Sequence, residues 1–308
     1  MDGGRGRPPG GGQVIDTARL HLPLGTAGDG PYAVAITPER AGWGYTGLRI
    51  LDLPAGGAHS FECGADEVLV LPLSGSCRVD CDGQRFELAG RENVLSAVSD
   101  FAYAPLGASV TVFSETGGRF ALPSARSRRR LEPRYMAASD VQVELRGAGS
   151  CSRQVNNFCT PEVFEADRMI ACEVLTPAGN WSSYPPHKHD EEVPGETALE
   201  EIYYYEVGAG PSGPGLAYQR VYGTADRPLD VLAEVRSGDV VLVPHGWHGP
   251  SMAAPGYDLY YLNVMAGPGE ERAWLISDDP AHGWLRESWR GQEVDPRLPM
   301  ASAVGMRS

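Results

Sequence analysis

His187 and His189 stand two residues apart in SYPPHKHD. On an extended strand alternate side chains share a face, so both imidazoles can enter one cavity while Lys188 turns away. The run LEEIYYYEV follows, with glutamates at its start and aromatic β-formers behind them. If Glu201 faces inward, so do Tyr203 and Tyr205, while Glu200, Ile202 and Tyr204 face the other side. A third piece, GDVVLVPHGWHG, runs from Gly238 through Pro244 and Gly246 to His248. A proline–glycine turn after an apolar strand returns a histidine toward the sheet; His245 is the competing imidazole. An isolated HxH is usually an exposed or hydrogen-bonded pair. The joint pattern points instead to one divalent ion held by His187, His189, His248 and either Glu200 or Glu201. Imidazole and carboxylate donors suit zinc or manganese, and also iron, cobalt or nickel.

These donors need strands to carry them. Glycine (39) and proline (25) are abundant, and short apolar runs separated by turn residues fill the chain. From about Val14 to Pro123 the runs include Glu67–Leu73, Cys77–Asp80, Asn93–Val98 and Ser109–Phe113, and Asp82-Gly83 marks a hairpin. Residues 124–130 (SARSRRR) read as a basic surface linker. A second block, from about Val141 to Met265, holds Met169–Leu175, Trp181–His187, Glu201–Val207, Leu216–Tyr222, Val240–Pro244 and Tyr257–Val264. The remainder, with Trp274, Trp284 and Trp289, should wrap back over a sheet. GRENVLSAVSDFAYAPLGASVTVF and SGDVVLVPHGWHGPSMAAPGYDLYYLNV share a theme of turn, strand, proline–glycine turn and strand, a weak duplication at long period. The expectation is an all-β fold of two jelly-roll barrels. Residues 1–12 form a disordered tail, 13–130 a barrel without a metal site, and 131–308 a barrel with the metal site and the wrapping tail.

The 308 residues allow one large domain or two ordinary ones, and 42% hydrophobic content supports a substantial core. A net charge of -14 repels nucleic acid and anionic membranes, so an acidic substrate would need local arginines. The six cysteines form no CxxC pair or disulfide framework and read as buried thiols. No secretory signal opens the chain and no run approaches the ~20 apolar residues of a membrane span. A cytoplasmic protein is expected, and a homo-oligomer is compatible with this composition.

RGAGSCSRQVNNF, YPPHKHD, LEEIYYYEV, AYQRVYG, GDVVLVPHGWH and PGYDLYYLNVMAGP together resemble the 5-deoxy-glucuronate isomerases of inositol catabolism, from about residue 14 to the end. HxH with a later Glu, and G-x5-P-x-G with a later His, resemble the two cupin motifs. The gap from His189 to the glutamate, DEEVPGETAL, is longer than the general cupin spacing. The resemblance implies a bicupin, a tandem double-stranded β-helix. The aromatic strands of related uronate isomerases favour Glu201 as the carboxylate ligand, and motif position favours His248 over His245. The implied reaction converts 5-deoxy-glucuronate to 2-deoxy-5-keto-gluconate through an enediolate stabilised by the metal. A base must stand near both carbons; the candidates are Tyr203, Tyr205, Glu206, Asp258 and His282. The structural reading of each tyrosine is a core ring with its hydroxyl bonded. A small anionic sugar acid needs arginine at its carboxylate: Arg220, mid-strand in AYQRVYG, or Arg153, supported by Asn157. Either arginine could equally be in a structural salt bridge. Rival readings are a cupin dioxygenase and a non-catalytic sugar-binding cupin.

Overall fold

The computed structural model describes residues 19–303 and the backbone of Gly305–Met306; the expected tail at residues 1–12 lies outside the described residues. Strands dominate, and among the described residues the α-helices are single turns at Pro38–Ala41 and Leu285–Ser288.

The first half is built around one long strand, Asp66–Cys81. Its beginning pairs with Phe101–Ala104 and Gly118–Arg126, and its end with Gln84–Arg91 and Ser109–Ser114. The strand thus turns a barrel corner, with register shifts at Pro72/Ser74 and Gly75/Cys77. Gly75 sits there at φ +80°, and a Cβ on it would stand 2.4 Å from the Gly117 carbonyl oxygen, so only glycine lets the strands cross. Glu67–Leu73 and Cys77–Asp80, separate runs in the sequence, are therefore one element. Asp82 and Gly83 have φ of 48° and 82°, as a two-residue hairpin requires. The strand expected at Asn93–Val98 is instead a turn. Asn93 Oδ1 accepts the Leu95 N–H, and Ser96 Oγ bonds both the N–H and the carbonyl of Asn93, so local bonds outcompete a ladder. Inward residues such as Val68, Val70, Val79, Leu88, Val112 and Phe120 fill this barrel with apolar side chains.

The second half is two facing sheets. One runs His21–Leu22, Val240–Val243, Glu200–Val207, Leu259–Ala266, Ile170–Thr176, Arg153–Cys159, Gln142–Arg146. The other runs Asp230–Val235, Ala217–Tyr222, Trp247–Ala253, His187–Lys188, Ser277–Asp278, with Trp181–Ser182 beside Trp247–Ala253. Every residue of Leu259–Ala266 is buried, because one face lines the barrel and the other meets the first half.

The halves exchange elements and charges. His21–Leu22 pairs with Val240–Val241 of the second sheet, and Arg134–Met136 pairs back with Phe101–Tyr103 of the first. Chain order and strand pairing therefore cross near both ends of the first barrel. Buried Glu67 accepts the N–H groups of Asp167, Arg168 and Met169 at 2.6–2.8 Å. Glu200 accepts those of Gly44, Tyr45 and Thr46 at 2.7–3.0 Å. Arg91 pairs with Glu173 where neither is exposed to solvent. The basic stretch is no loose linker. Ser124–Arg126 ends a strand, Asp167 Oδ2 accepts from Ser127 Oγ and the N–H of Arg128 and Arg129, and Arg130 pairs with Asp82.

Candidate metal centre

The site lies between the two sheets of the second half. Glu201 comes from the larger sheet, where Glu201, Tyr203 and Tyr205 share one face as alternation requires. His187 and His248 come from the smaller sheet, directly opposite each other in register. The strand expected over Trp181–His187 is broken: Ser183 adopts φ +49° and Pro185 and Pro186 follow, so pairing resumes only at His187.

The ligating atoms of His189, Glu201 and His248 all lie within 4.8 Å of one another, and all three residues are buried. His187 stands outside that group, with its ring 4.5 Å from that of His248. Each histidine directs Nδ1 at a backbone carbonyl: His187 at Pro185 (3.2 Å), His189 at Leu199 (3.3 Å) and His248 at Gly246 (3.2 Å). A carbonyl only accepts, so Nδ1 carries the proton and Nε2 is left for a ligand, as metal-binding imidazoles require. Nε2 of His189 and of His248 both lie 3.1 Å from Glu201 Oε2, yet His248 Nε2 makes no hydrogen bond. With Nδ1 carrying the proton, a neutral imidazole has none on Nε2 to offer that oxygen, so lone pairs face one another there, an arrangement that a divalent cation satisfies. The donor set fits a metal.

Electrostatics agree. Burial pushes the Glu201 carboxyl up, but His248 and His189 outweigh it and hold the group at about 2. Burial, then the neighbouring His248 and His189, takes His187 well below its ordinary value, so it is a neutral donor. Burial also opposes charge on His189, but the hydrogen bond and charge of Glu201 raise it.

Beside this centre opens a cavity of about 630 Å³, lined among others by His187, Glu201, Tyr203, Arg153, Arg146 and Trp289. Arg153 is buried, bonds the carbonyls of Cys151 and Tyr184, and lies 5.9 Å from the Trp289 ring centre. Among the described residues no carboxylate stands within salt-bridge distance of it. Burial lowers its affinity for its proton, with Tyr261 opposing the effect and Arg146 and Arg286 adding to it. Tyr203 reaches Ser183 Oγ at 2.9 Å, and burial raises its phenol well above the ordinary range.

The KduI/IolB family model matches residues 20–285. The chain belongs to the KduI/IolB family. A relative in this family, the 5-deoxy-glucuronate isomerase of Geobacillus kaustophilus, is 40% identical over 88% of this chain and 96% of its own. The crystal structure of an IolB-like protein from Salmonella typhimurium superposes with a TM-score of 0.79 at 34% identity, covering 87% of this chain and 99% of that one. Lactobacillus farciminis oxalate decarboxylase shares the fold, with a TM-score of 0.61 at 13% identity over 87% of this chain and 89% of that one. The KduI/IolB chain is thus a bicupin.

The remaining sequence candidates scatter. Arg220 does not reach the cavity; it pairs with Asp230, bonds the Val231 carbonyl and belongs to a separate outer pocket with His282. Its strand is the last but one of the smaller sheet, and its side chain leaves from the outer face. Tyr205 stacks behind Tyr203, ring centres 6.1 Å apart. Glu206 faces the first half, bonded to Arg119 and Tyr204. Asp258 accepts the Ala178 N–H, and Asn157 donates to Glu144 rather than supporting Arg153. Glu200 points away, into the contact with Gly44–Thr46, so only Glu201 faces the histidines. His245 is buried but outside the converging group. Sequence reasoning missed Arg146, Ser183 and Asn263 in the cavity wall. The lone polar residue within LYYLNVMA was the available signal for Asn263.

Proposed function

We propose that this chain is a metal-dependent aldose–ketose isomerase converting 5-deoxy-glucuronate to 2-deoxy-5-keto-gluconate. The observation that carries the proposal is a cavity lined by a buried arginine with no carboxylate partner among the described residues and by Glu201, the carboxylate on which buried His189 and His248 converge. The curated relatives bear the isomerase name. Zinc or manganese, held by His189, Glu201 and His248 with His187 beside them, would supply Lewis-acid stabilisation of negative charge developing on substrate oxygens. Arg153 binds the sugar acid's carboxylate, fixing which end of the substrate faces the histidines. Tyr203, its phenol well above the ordinary range, stays protonated at neutral pH and acts as donor, not base. Val155, Val174 and Trp274 supply apolar wall for the carbon skeleton of the substrate. Six free cysteines, five of them buried, suit a reducing compartment, and we assign the cytoplasm. Among the described residues no helix is long and apolar enough to cross a membrane.

The test is direct. Protein stripped by chelation, then reloaded with zinc or manganese, is given 5-deoxy-glucuronate in anaerobic buffer, and the ketose is followed by NMR. Turnover restored by metal and independent of oxygen is expected. An oxygen requirement would favour the dioxygenase reading, and binding without turnover the non-catalytic one.

A further inference from the structure

Among the described residues two buried polar atoms of the cavity wall have no hydrogen-bond partner, Trp274 Nε1 and Asn263 Nδ2. Asn263 is buried, at 4% exposure, on the strand Leu259–Ala266. It stands directly opposite Tyr203 on one side and Cys172 on the other. Alternation places it on the same face as Tyr261, toward the cavity that it lines together with Glu201 and Tyr203. Its Oδ1 has the Cys172 thiol at 4.0 Å, while its Nδ2 makes no hydrogen bond. A buried amide left unpaired is costly, and a strand otherwise made of Leu, Tyr, Val, Met and Ala would be better packed with leucine there. Such a group belongs where a ligand completes it.

We infer that Asn263 is a substrate-binding residue, its amide donating to an oxygen of the bound sugar acid on the Glu201 side of the cavity. This rests on the reading of the cavity as a sugar-acid site. The arrangement gives the substrate two separate polar anchors. Arg153 takes the carboxylate and Asn263 takes a hydroxyl or carbonyl oxygen nearer the donor set. A site that hydrogen-bonds a substrate oxygen rejects analogues lacking it, because its own group is then stranded. Asn263 therefore selects for oxygenation at that carbon, which charge recognition by Arg153 cannot do.

The experiment compares wild type with Asn263→Leu and Asn263→Ser. Four quantities are measured: Tm, metal content, kcat/KM for 5-deoxy-glucuronate, and the Kd of D-glucuronate as a stable uronate probe. Leucine keeps asparagine's number of side-chain heavy atoms and its branching at Cγ, and removes the stranded amide. Asn263→Leu should hold full metal and keep or raise its Tm, yet lose about tenfold or more in both kcat/KM and uronate affinity. Asn263→Ser, which keeps a donor, should recover part of both. If both variants stay within twofold of wild type, the inference is overturned. It is also overturned if Asn263→Leu unfolds or sheds metal while Asn263→Ser behaves as wild type, because the amide then serves the fold. A wild type that binds the uronate but does not isomerise 5-deoxy-glucuronate sinks the proposed reaction alone, and the affinity loss in Asn263→Leu still decides the inference.

Discussion

The imidazoles of the centre are each half-committed. Nδ1 is tied to a carbonyl of the residue's own loop or a neighbouring one, so only Nε2 is free to ligate. Replacing His189 with Ala removes one donor from the converging group and leaves the Glu201 carboxylate with one neighbour instead of two. Metal content by elemental analysis should fall from near one per chain to near zero while the far-ultraviolet circular dichroism is retained; a full complement of metal would refute the assignment. The two arginine candidates now separate. Arg153→Ala should raise KM for the acidic sugar at least tenfold and leave that for a neutral analogue within about twofold, as loss of a charge-assisted bond predicts. Arg220→Ala, which breaks only an outer pair with Asp230, should change neither. Equal KM effects of Arg153→Ala on both sugars would remove Arg153 from the carboxylate site.

At the scale of elements, the HxH strand is only two residues long, too short for its own ladder to fix it. Lys188, between the two histidines, supplies an anchor. Its ammonium lies 2.9, 2.6 and 2.7 Å from Asp190, Glu191 and Glu196. Asp190 in turn accepts the Gly246 N–H at 2.8 Å, two residues before His248. One carboxylate thus ties the HxH strand to the turn that carries the third imidazole. Lys188→Met leaves buried Glu196 without a cation, while Asp190 keeps Arg227 and Glu191 keeps its solvent. The substitution should lower stability by about 3 kcal/mol in urea unfolding and weaken metal affinity ten- to a hundredfold in chelator competition. Lys188→Arg should recover part of the affinity. Unchanged affinity in Lys188→Met would show that the clamp does not set the geometry of the centre.

The whole molecule is held by carboxylates that reach from one barrel to the backbone of the other. Asp167 is the clearest case. Burial pushes its carboxyl up, but the N–H of Arg128, the Arg129 side chain and the other donors around it win and hold it at about 2. A depressed value contributes stability in full above the ordinary Asp pKa near ~3.9, and that contribution is lost as pH falls through about 2. Tm should therefore decline between roughly pH 4 and pH 2. Asp167→Asn should start lower at neutral pH and show a shallower decline; identical slopes would mean that other groups govern acid unfolding. The same cross-barrel contacts explain why residues 124–130 resisted a sequence reading. SARSRRR looks solvated until Asp167, distant in sequence, is brought beside it.

The sequence by itself determined the all-β class, the two-barrel plan and a set of candidate donors: His187, His189, His248 and one of Glu200 and Glu201. Strand alternation and the proline–glycine turn are local rules, and they act wherever those residues stand. It could name Arg153 and Arg220 but not choose between them. Both sit on strands; which sheet each strand joins, and which face meets the cavity, are settled by pairing between segments far apart. For the same reason Glu200 and Glu201 separated only when Gly44–Thr46 of the other barrel arrived to claim one of them. The orphan amide of Asn263 was visible as a letter in an apolar run, but its lack of a partner is a property of three-dimensional neighbours, which only the tertiary structure supplies.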